Sequence, residues 1–173
     1  MARTADPDLR RELLENAVDY VCEHGLADLS LRPLAEALDV SPGSLLYHFG
    51  SKEQLLVEIV REGRRRQLRL AAQTDDLTAL WREWTAPRWL PLWRLFFEIY
   101  ALALQHPERY PGFLDSAVDE WLDAIDPSRD RDARADATLL LATFRGLLLD
   151  FCATGDRKRT SRAIERFALK APA

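Results

Sequence analysis

Groups that bind phosphate are concentrated between Asp39 and Glu53, where the chain carries no acidic residue. This segment holds three serines together with Tyr47, His48 and Lys52. Hydroxyl and imidazole groups donate hydrogen bonds to phosphate oxygens, and an ammonium group neutralises a phosphate charge. Because the whole chain has a net charge of −4, a surface for a polyanion must come from local placement of such groups.

The sequence contains no comparable pattern for catalysis, metal binding or disulfide formation. The three histidines, His24, His48 and His106, are scattered, and no motif for a nucleophilic serine, a zinc protease or a phosphate loop occurs. Cys22 and Cys152 lie far apart in the sequence, without metal-ligand or disulfide spacing. We therefore expect no enzyme activity, no catalytic residue, no metal and no cofactor. The polar N-terminus and the spread of charges predict neither a secretory signal nor a membrane span.

Apolar residues recur at helical spacing along the whole chain, and no segment alternates as a strand does. The sequence predicts an all-α protein of about nine helices, separated by glycine and proline. Ser30, Ser41 and Ser51 stand where N-caps of the second, third and fourth helices are expected. The predicted helices cover approximately 7–24, 31–38, 42–49, 52–72, 77–84, 89–105, 111–125, 129–154 and 156–169.

The second and third helices, joined by a tight turn at Asp39 and Val40, have the form of a helix-turn-helix. The second helix of such a pair enters the DNA major groove, and here Leu45 and Phe49 have the spacing to face inward. Free N–H groups at the helix starts favour phosphate. The outward face consists of Ser41, Pro42, Gly43, Ser44, Leu46, Tyr47 and His48. Few of these side chains read bases, so we expect specificity from Ser44, from Leu46 on a thymine methyl and from DNA shape.

The segment Leu29–Leu56 resembles the DNA-binding signature of the TetR family of transcriptional regulators. The matching elements are the apolar-serine start of the second helix, Val-Ser-Pro-Gly-Ser, Tyr-His-Phe and Ser-Lys-Glu. Asp39 replaces a frequent glycine or asparagine but tolerates a left-handed conformation, and Leu46 replaces a frequent aromatic residue. The rest of the chain agrees with the family in layout.

This resemblance implies a cytoplasmic, nucleoid-associated regulator, most often a repressor, that binds a palindromic operator in double-stranded DNA as a homodimer. It implies a DNA-binding domain at 1–50 and a ligand-sensing and dimerisation domain at 51–173, linked by the helix at 51–72. A small hydrophobic or aromatic effector would release the DNA. The residues placed at the DNA are Ser30, Arg32, Ser41, Pro42, Gly43, Ser44, Leu46, Tyr47, His48 and Lys52.

An aromatic stripe runs through the second half of the chain and has two interpretations. It is either an ordinary aromatic core or the lining of a pocket for a planar effector, and the resemblance favours the pocket. A cation stacked on tryptophan, with Glu98 as counter-ion, is a further option. The candidate pocket residues are Trp84, Trp89, Trp93, Phe96, Phe97, Tyr100, Phe113, Trp121 and Phe144.

The eighth predicted helix is apolar on every side between Leu139 and Cys152, which indicates burial all round. It is either the central helix of a monomer or, with the ninth helix, half of a four-helix bundle across a two-fold axis. The resemblance favours the dimer. The candidate interface residues are Leu140, Phe144, Leu148, Phe151, Ile164 and Phe167.

Arginines outside the motif leave alternatives open. The run Arg64-Arg65-Arg66 with Arg69 is typical of a solvated helix face, but it also suits a phosphate contact or an interdomain pair. An N-terminal arm formed by Arg3, Arg10 and Arg11 would touch the DNA backbone. The main rival to a DNA-binding regulator is a helical adaptor that binds protein through the same fold.

Overall fold

A computed structural model describes residues 6–25, 30–74, 76–128 and 130–169. Nine α-helices contain most of these residues, and none of the described residues lies in a strand, so the all-α prediction is confirmed. The helices are α1 Pro7–His24, α2 Leu31–Ala37, α3 Pro42–Phe49, α4 Lys52–Ala71, α5 Leu77–Trp84, α6 Leu90–Gln105, α7 Phe113–Ile125, α8 Arg131–Thr154 and α9 Arg157–Ala168. Short 3-10 turns at Pro87–Trp89 and Pro107–Arg109 precede α6 and α7.

Side-chain caps fix the starts of the N-terminal helices. The Asp6 carboxylate accepts hydrogen bonds from two backbone N–H groups of α1. The Oγ atoms of Ser41 and Ser51 each accept a backbone N–H of the third helical residue at 3.1 Å. These caps satisfy amides that have no partner inside the helix. The predicted N-caps at Ser41 and Ser51 are confirmed, whereas Ser30 precedes α2 without a capping bond.

The turn between α2 and α3 depends on Asp39, which has a φ of 53°. An L-residue pays for this left-handed conformation, and aspartate is one of the few that adopt it. The expectation that Asp39 preserves the turn is confirmed. Leu29, the first residue of the matched segment, lies outside the described residues.

Helix α4 supports the N-terminal helices and extends well beyond them. Helices α1 and α3 pack against α4, and their fully buried Val18 and Leu45 belong to the same core as Ile59 of α4. Farther along, α4 contacts α5, α6 and α7. One rigid helix therefore connects the N-terminal helices to the rest of the chain.

In the second half, α8 packs against α6, α7 and α9, and α5 packs on α9. Trp81 of α5 is fully buried and donates its indole N–H to Ser161 Oγ at 3.1 Å. The predicted helix starts at Trp89 and Pro111 are slightly wrong. A 3-10 turn includes Trp89, and α7 begins only after Gly112, whose φ is 67°.

Of the described helices, α8 alone is long and apolar enough to cross a membrane by length and composition. That criterion is weak, because core helices of soluble proteins also meet it. Only 22 % of its most apolar window is buried within the chain, which leaves a largely uncovered surface. The predicted burial on every side is wrong for a single chain.

Candidate DNA interface and effector cavity

The outer face of α3 is held out from the molecule by two buried residues. Leu45 and Phe49 lie under the helix at 0 % and 5 % exposure, as their spacing predicts. Leu46 and Tyr47 are 38 % and 53 % exposed on the opposite side. Exposed apolar side chains that adjoin one another form the kind of patch that marks a contact site. This face is therefore a candidate for contact with another molecule.

The other α3 residues predicted at the DNA divide into exposed and half-buried positions. Ser41, Pro42 and Gly43 are exposed, whereas Ser44 and His48 are half-buried. A Cβ on Gly43 would meet only Ser41 Oγ, at 3.7 Å, so internal packing does not demand glycine there. The rings of Tyr47 and His48 meet edge to face with centroids 5.2 Å apart, and His48 Nδ1 has no hydrogen-bond partner.

The remaining predicted DNA residues flank α3 on neighbouring elements. Ser30 and Arg32 are exposed at the start of α2. Lys52 is exposed as the first residue of α4, where backbone N–H groups point out of the helix. The helix starts of α2, α3 and α4 thus each contribute at least one exposed residue from the predicted set.

Arg10 has a different role from the one predicted. Its Nε donates to the His48 carbonyl at 3.2 Å, and its guanidinium lies 4.9 Å from the centre of the Phe49 ring. It also pairs with Glu58 of α4 at 3.6 Å. Arg10 therefore positions α3 against α1 and α4. Of the other predicted arm residues, Arg11 pairs with Asp8, and Arg3 lies outside the described residues.

A pair that the sequence did not predict ties α4 to the turn before α7. Arg109 Nη2 lies 2.5 Å from Glu53 Oε1. The pKa of Glu53 is lowered, first by the backbone N–H of Glu53 itself and then by Arg109. The only acid beside Lys52 in the sequence therefore has its charge balanced by a cation from the second half of the chain.

The arginines of the run on α4 form ion pairs of two kinds, with other helices or within α4 itself. The guanidinium of Arg64 is 3 % exposed and pairs with Glu120 of α7 at 2.6 Å, so both partners belong to the predicted domain at 51–173. Arg66 pairs with Asp19 of α1. Arg65 and Arg69 remain exposed and pair with Glu62 of their own helix, so the solvated-face interpretation holds for these two.

A cavity of about 380 Å³ lies between α4, α5, α7 and α8. Its volume falls within the range of small-molecule sites. Its lining is apolar apart from one threonine and contains no charged residue. The lining residues are Leu68, Ala71, Ala72, Thr74, Leu77, Leu80, Trp84, Trp121, Ala124, Ile125, Leu140, Leu141 and Phe144.

The structure places the predicted pocket residues in three groups. Trp84, Trp121 and Phe144 line this cavity. Trp93 and Phe96 line a smaller cavity of about 20 Å³ that shares four lining residues with the first. The remaining predicted residues, Trp89, Phe97, Tyr100 and Phe113, line neither. The aromatic stripe therefore belongs partly to the cavity and partly to ordinary core.

The predicted dimer face requires correction. Phe144, Leu148, Phe151 and Ile164 are at most 5 % exposed within one chain, and the rings of Phe144 and Phe151 pack on Trp81. Within one chain these four residues are therefore covered by its own helices. Leu140 and Phe167 are half-buried. The uncovered face of α8 instead carries Ala135, Leu139, Ala142, Gly146, Leu149 and Ala153, all of them exposed.

Within the described part of the chain, no cluster of histidine, cysteine or acidic residues has the arrangement of a metal site. Cys22 and Cys152 are free and half-buried. Burial raises the pKa of both thiols, which keeps them protonated at neutral pH.

Residues 13–59 match the family described as "Bacterial regulatory proteins, tetR family". The N-terminal helices are therefore similar in sequence to those of the tetR family. This match contains the whole segment Leu29–Leu56 that the resemblance identified, including α2, α3 and the start of α4. The residues that match the tetR family thus include α3 and the helix starts that flank it.

Two curated relatives each match a little under a third of the chain. The "HTH-type transcriptional repressor AcnR" of Corynebacterium efficiens is 42 % identical over 53 residues, which are 31 % of this chain and 28 % of the relative. The "HTH-type transcriptional repressor KstR2" of Rhodococcus jostii is 42 % identical over 52 residues, 30 % of this chain and 26 % of the relative. The matched region thus spans little more than a quarter of the length of these relatives.

The fold as a whole is similar to a solved structure, the "multidrug binding protein EbrR complexed with ethidium". The two are 25 % identical with a TM-score of 0.66, over 93 % of this chain and 98 % of the other. The likeness extends beyond the tetR-family region to α5–α9.

Proposed function

We propose that this protein regulates transcription by binding a palindromic operator as a homodimer and that a small apolar effector releases it. The observation that carries the proposal is the exposed face of α3, built on two buried residues inside the region that matches the tetR family. The naming of AcnR and KstR2 as repressors supports repression as the mode of action. The site of action would be the cytoplasm, at the DNA.

Phosphate contacts would come from the helix starts and the end of α3. Tyr47 and His48 donate to phosphate oxygens in this proposal, and Lys52 neutralises one phosphate. Arg32 extends the same surface along α2. Ser44 and Leu46 are the residues on α3 that would reach base edges. With so few base contacts, DNA shape would supply much of the specificity.

The uncovered stripe on α8 supports a homodimer. Its six exposed residues repeat at alternating spacings of four and three, which is the seam of a helix pair. Ala142 and Gly146, near its centre, allow two helices to approach closely. Two copies of α3 would then lie about one DNA turn, roughly 34–36 Å, or a multiple of it apart. The palindromic operator follows from this two-fold symmetry.

The cavity between α4 and α8 supports regulation by an effector. Trp121 of α7 forms part of its wall, and the preceding residue, Glu120, pairs with Arg64 of α4. A ligand that displaces α7 would therefore pull on the helix that carries α3. Release requires that the ligand bind the DNA-free arrangement more tightly than the DNA-bound one.

Selection of binding sites from random duplex DNA tests the DNA-binding part of the proposal. We expect the purified protein to enrich a palindrome and the Tyr47→Ala variant to lose it, because Tyr47 lies on the exposed face of α3. Helical content and thermal midpoint of the variant should match the native protein. If no sequence is enriched even at low salt, where phosphate contacts are strongest, the helical-adaptor alternative gains support.

A further inference from the structure

One arginine borders the aromatic cavity without an acidic partner. Arg145 of α8 lines the small cavity. The other lining residues are Trp84, Trp121, Phe144 and four further apolar residues. Its Nη2 donates to the Ala117 carbonyl of α7 at 2.6 Å. Its guanidinium carbon lies 5.3 Å and 5.6 Å from the ring centres of Phe96 and Tyr100. Within the described residues, it forms no salt bridge with aspartate or glutamate.

A second arginine lies near Arg145. Arg64 is close enough to interact with it electrostatically, and Arg64 is paired with Glu120. Burial lowers the pKa of Arg145 most, and Arg64 lowers it further, while Tyr100 acts in the opposite direction. The half-buried guanidinium stays charged at neutral pH, and no described carboxylate forms a salt bridge with it.

The small cavity lies between the guanidinium of Arg145 and the larger cavity. The two share Trp84, Trp121, Leu141 and Phe144, and Arg145 is the one charged residue in either lining as far as the chain is described. At about 20 Å³ the small cavity has room for roughly one water-sized group. A ligand in the larger cavity that extends past these four shared residues would reach the guanidinium.

We propose that the effector is an organic anion, whose apolar body lies between Trp84, Trp121 and Phe144 and whose carboxylate pairs with Arg145. This inference rests on the proposed function of the cavity and specifies the ligand class. Arg145 offers a planar pair of donors that matches a carboxylate. The cavity residues carry no acid that would favour a cation such as the ethidium bound by EbrR. The cation option with Glu98 loses support as well, because Glu98 is exposed on α6 and lines neither cavity.

Such an anion would also act on the linkage to α4. Its carboxylate competes with the Ala117 carbonyl for the Arg145 donors, which loosens α8 from α7. Ala117 and Glu120 lie within one turn of α7, so the change reaches the Glu120–Arg64 pair directly. Ligand binding and the position of α4 are thereby connected through two arginines.

Calorimetric titration with three probes that share a naphthalene body tests this inference on the full chain. The probes are 2-naphthoate, neutral 2-naphthamide and cationic 2-naphthylmethylammonium. We expect 2-naphthoate to bind at least about tenfold more tightly than either other probe, since a hydrogen bond to a charged group contributes that much. Arg145→Met should remove this advantage without altering 2-naphthamide binding, and Arg145→Lys should restore part of it.

Arg94→Met, which removes an exposed arginine of α6, is the matched control and should change none of the three affinities. If Arg145→Met fails to fold, the comparison of the three probes on the native protein decides alone. Equal binding of the three probes, or full 2-naphthoate affinity in Arg145→Met, would overturn the anion proposal while leaving the effector site intact. Absence of saturable binding by any probe would overturn both the anion proposal and the effector site, whereas the DNA selection tests operator binding separately.

Discussion

At the scale of single residues, the candidate DNA surface depends on a neutralised acid. Lys52 and Glu53 are adjacent at the start of α4, and a carboxylate there would oppose a phosphate. Arg109 pairs with Glu53 from the turn before α7 and offsets that charge. The positive charge of Lys52 and the free N–H groups of the helix start then act without local opposition.

We predict that Lys52→Ala weakens operator binding by a similar factor for every DNA sequence and reduces its salt dependence. Each phosphate contact contributes about 0.9 to the slope of log affinity against log salt concentration, so one contact fewer lowers the slope by about that amount. Anisotropy titrations of labelled operator between low and moderate salt measure both quantities. Lys158→Ala, which removes an exposed lysine of α9, should leave them unchanged. Equal slopes for Lys52→Ala and the native protein would exclude Lys52 as a phosphate contact.

Residues of the DNA surface were predictable because the helix-turn-helix is a local motif. Its caps, its turn and its two inward residues lie within about twenty positions, and helical spacing alone orients them. The partners of Arg10, Arg64 and Arg109 lie 38, 56 and 56 positions away. Such pairs arise only when the chain has folded, so the sequence pattern cannot assign them.

At the scale of elements, α4 is held against its neighbours by a close helix contact as well as by ion pairs. A Cβ on Gly63 would lie 2.9 Å from Leu92 Cδ1 and 3.0 Å from Leu92 Cγ of α6. Leu92 is 2 % exposed and has little room to move. The glycine therefore sets the distance between α6 and α4, which supports the candidate DNA-binding helices.

We predict that Gly63→Ala lowers the free energy of unfolding by about 1 kcal/mol, because overpacking costs about 1–3 kcal/mol and outweighs the roughly 1 kcal/mol gained in helix propensity. Urea denaturation followed by circular dichroism measures the change. Gly43→Ala, measured in the absence of DNA, is the control variant. Its new methyl group meets only Ser41 Oγ, at 3.7 Å, so no overpacking is expected there. A stabilised Gly63→Ala protein would show that α4 and α6 separate at little cost.

At the scale of the whole molecule, the remaining question is which face of α8 meets a second copy. Both faces are apolar in sequence, so hydrophobic pattern alone could not distinguish them. The fold decides because Trp81 of α5 covers Phe144 and Phe151, while Leu139 and Leu149 remain 62 % and 51 % exposed. The interface proposed from the structure therefore lies on the opposite side of α8 from the residues predicted by sequence.

We predict that Leu139→Glu converts the dimer to a monomer at micromolar concentration. Two glutamates facing each other near a two-fold axis would bury like charges, which costs several kcal/mol. Sedimentation equilibrium measures the mass. Because operator binding in this proposal needs two copies of α3, the same variant should lose affinity for the full palindrome and keep only the weak affinity of one half-site.

Leu104→Glu supplies the matched control, since Leu104 of α6 is 63 % exposed and lies outside the α8 stripe. It introduces the same charge at the same exposure, so a general effect of surface glutamate would appear in both variants. A dimer that persists in Leu139→Glu would contradict the assigned face. A native protein that is already monomeric would contradict the dimer itself, and the exposed stripe on α8 would then require a different partner.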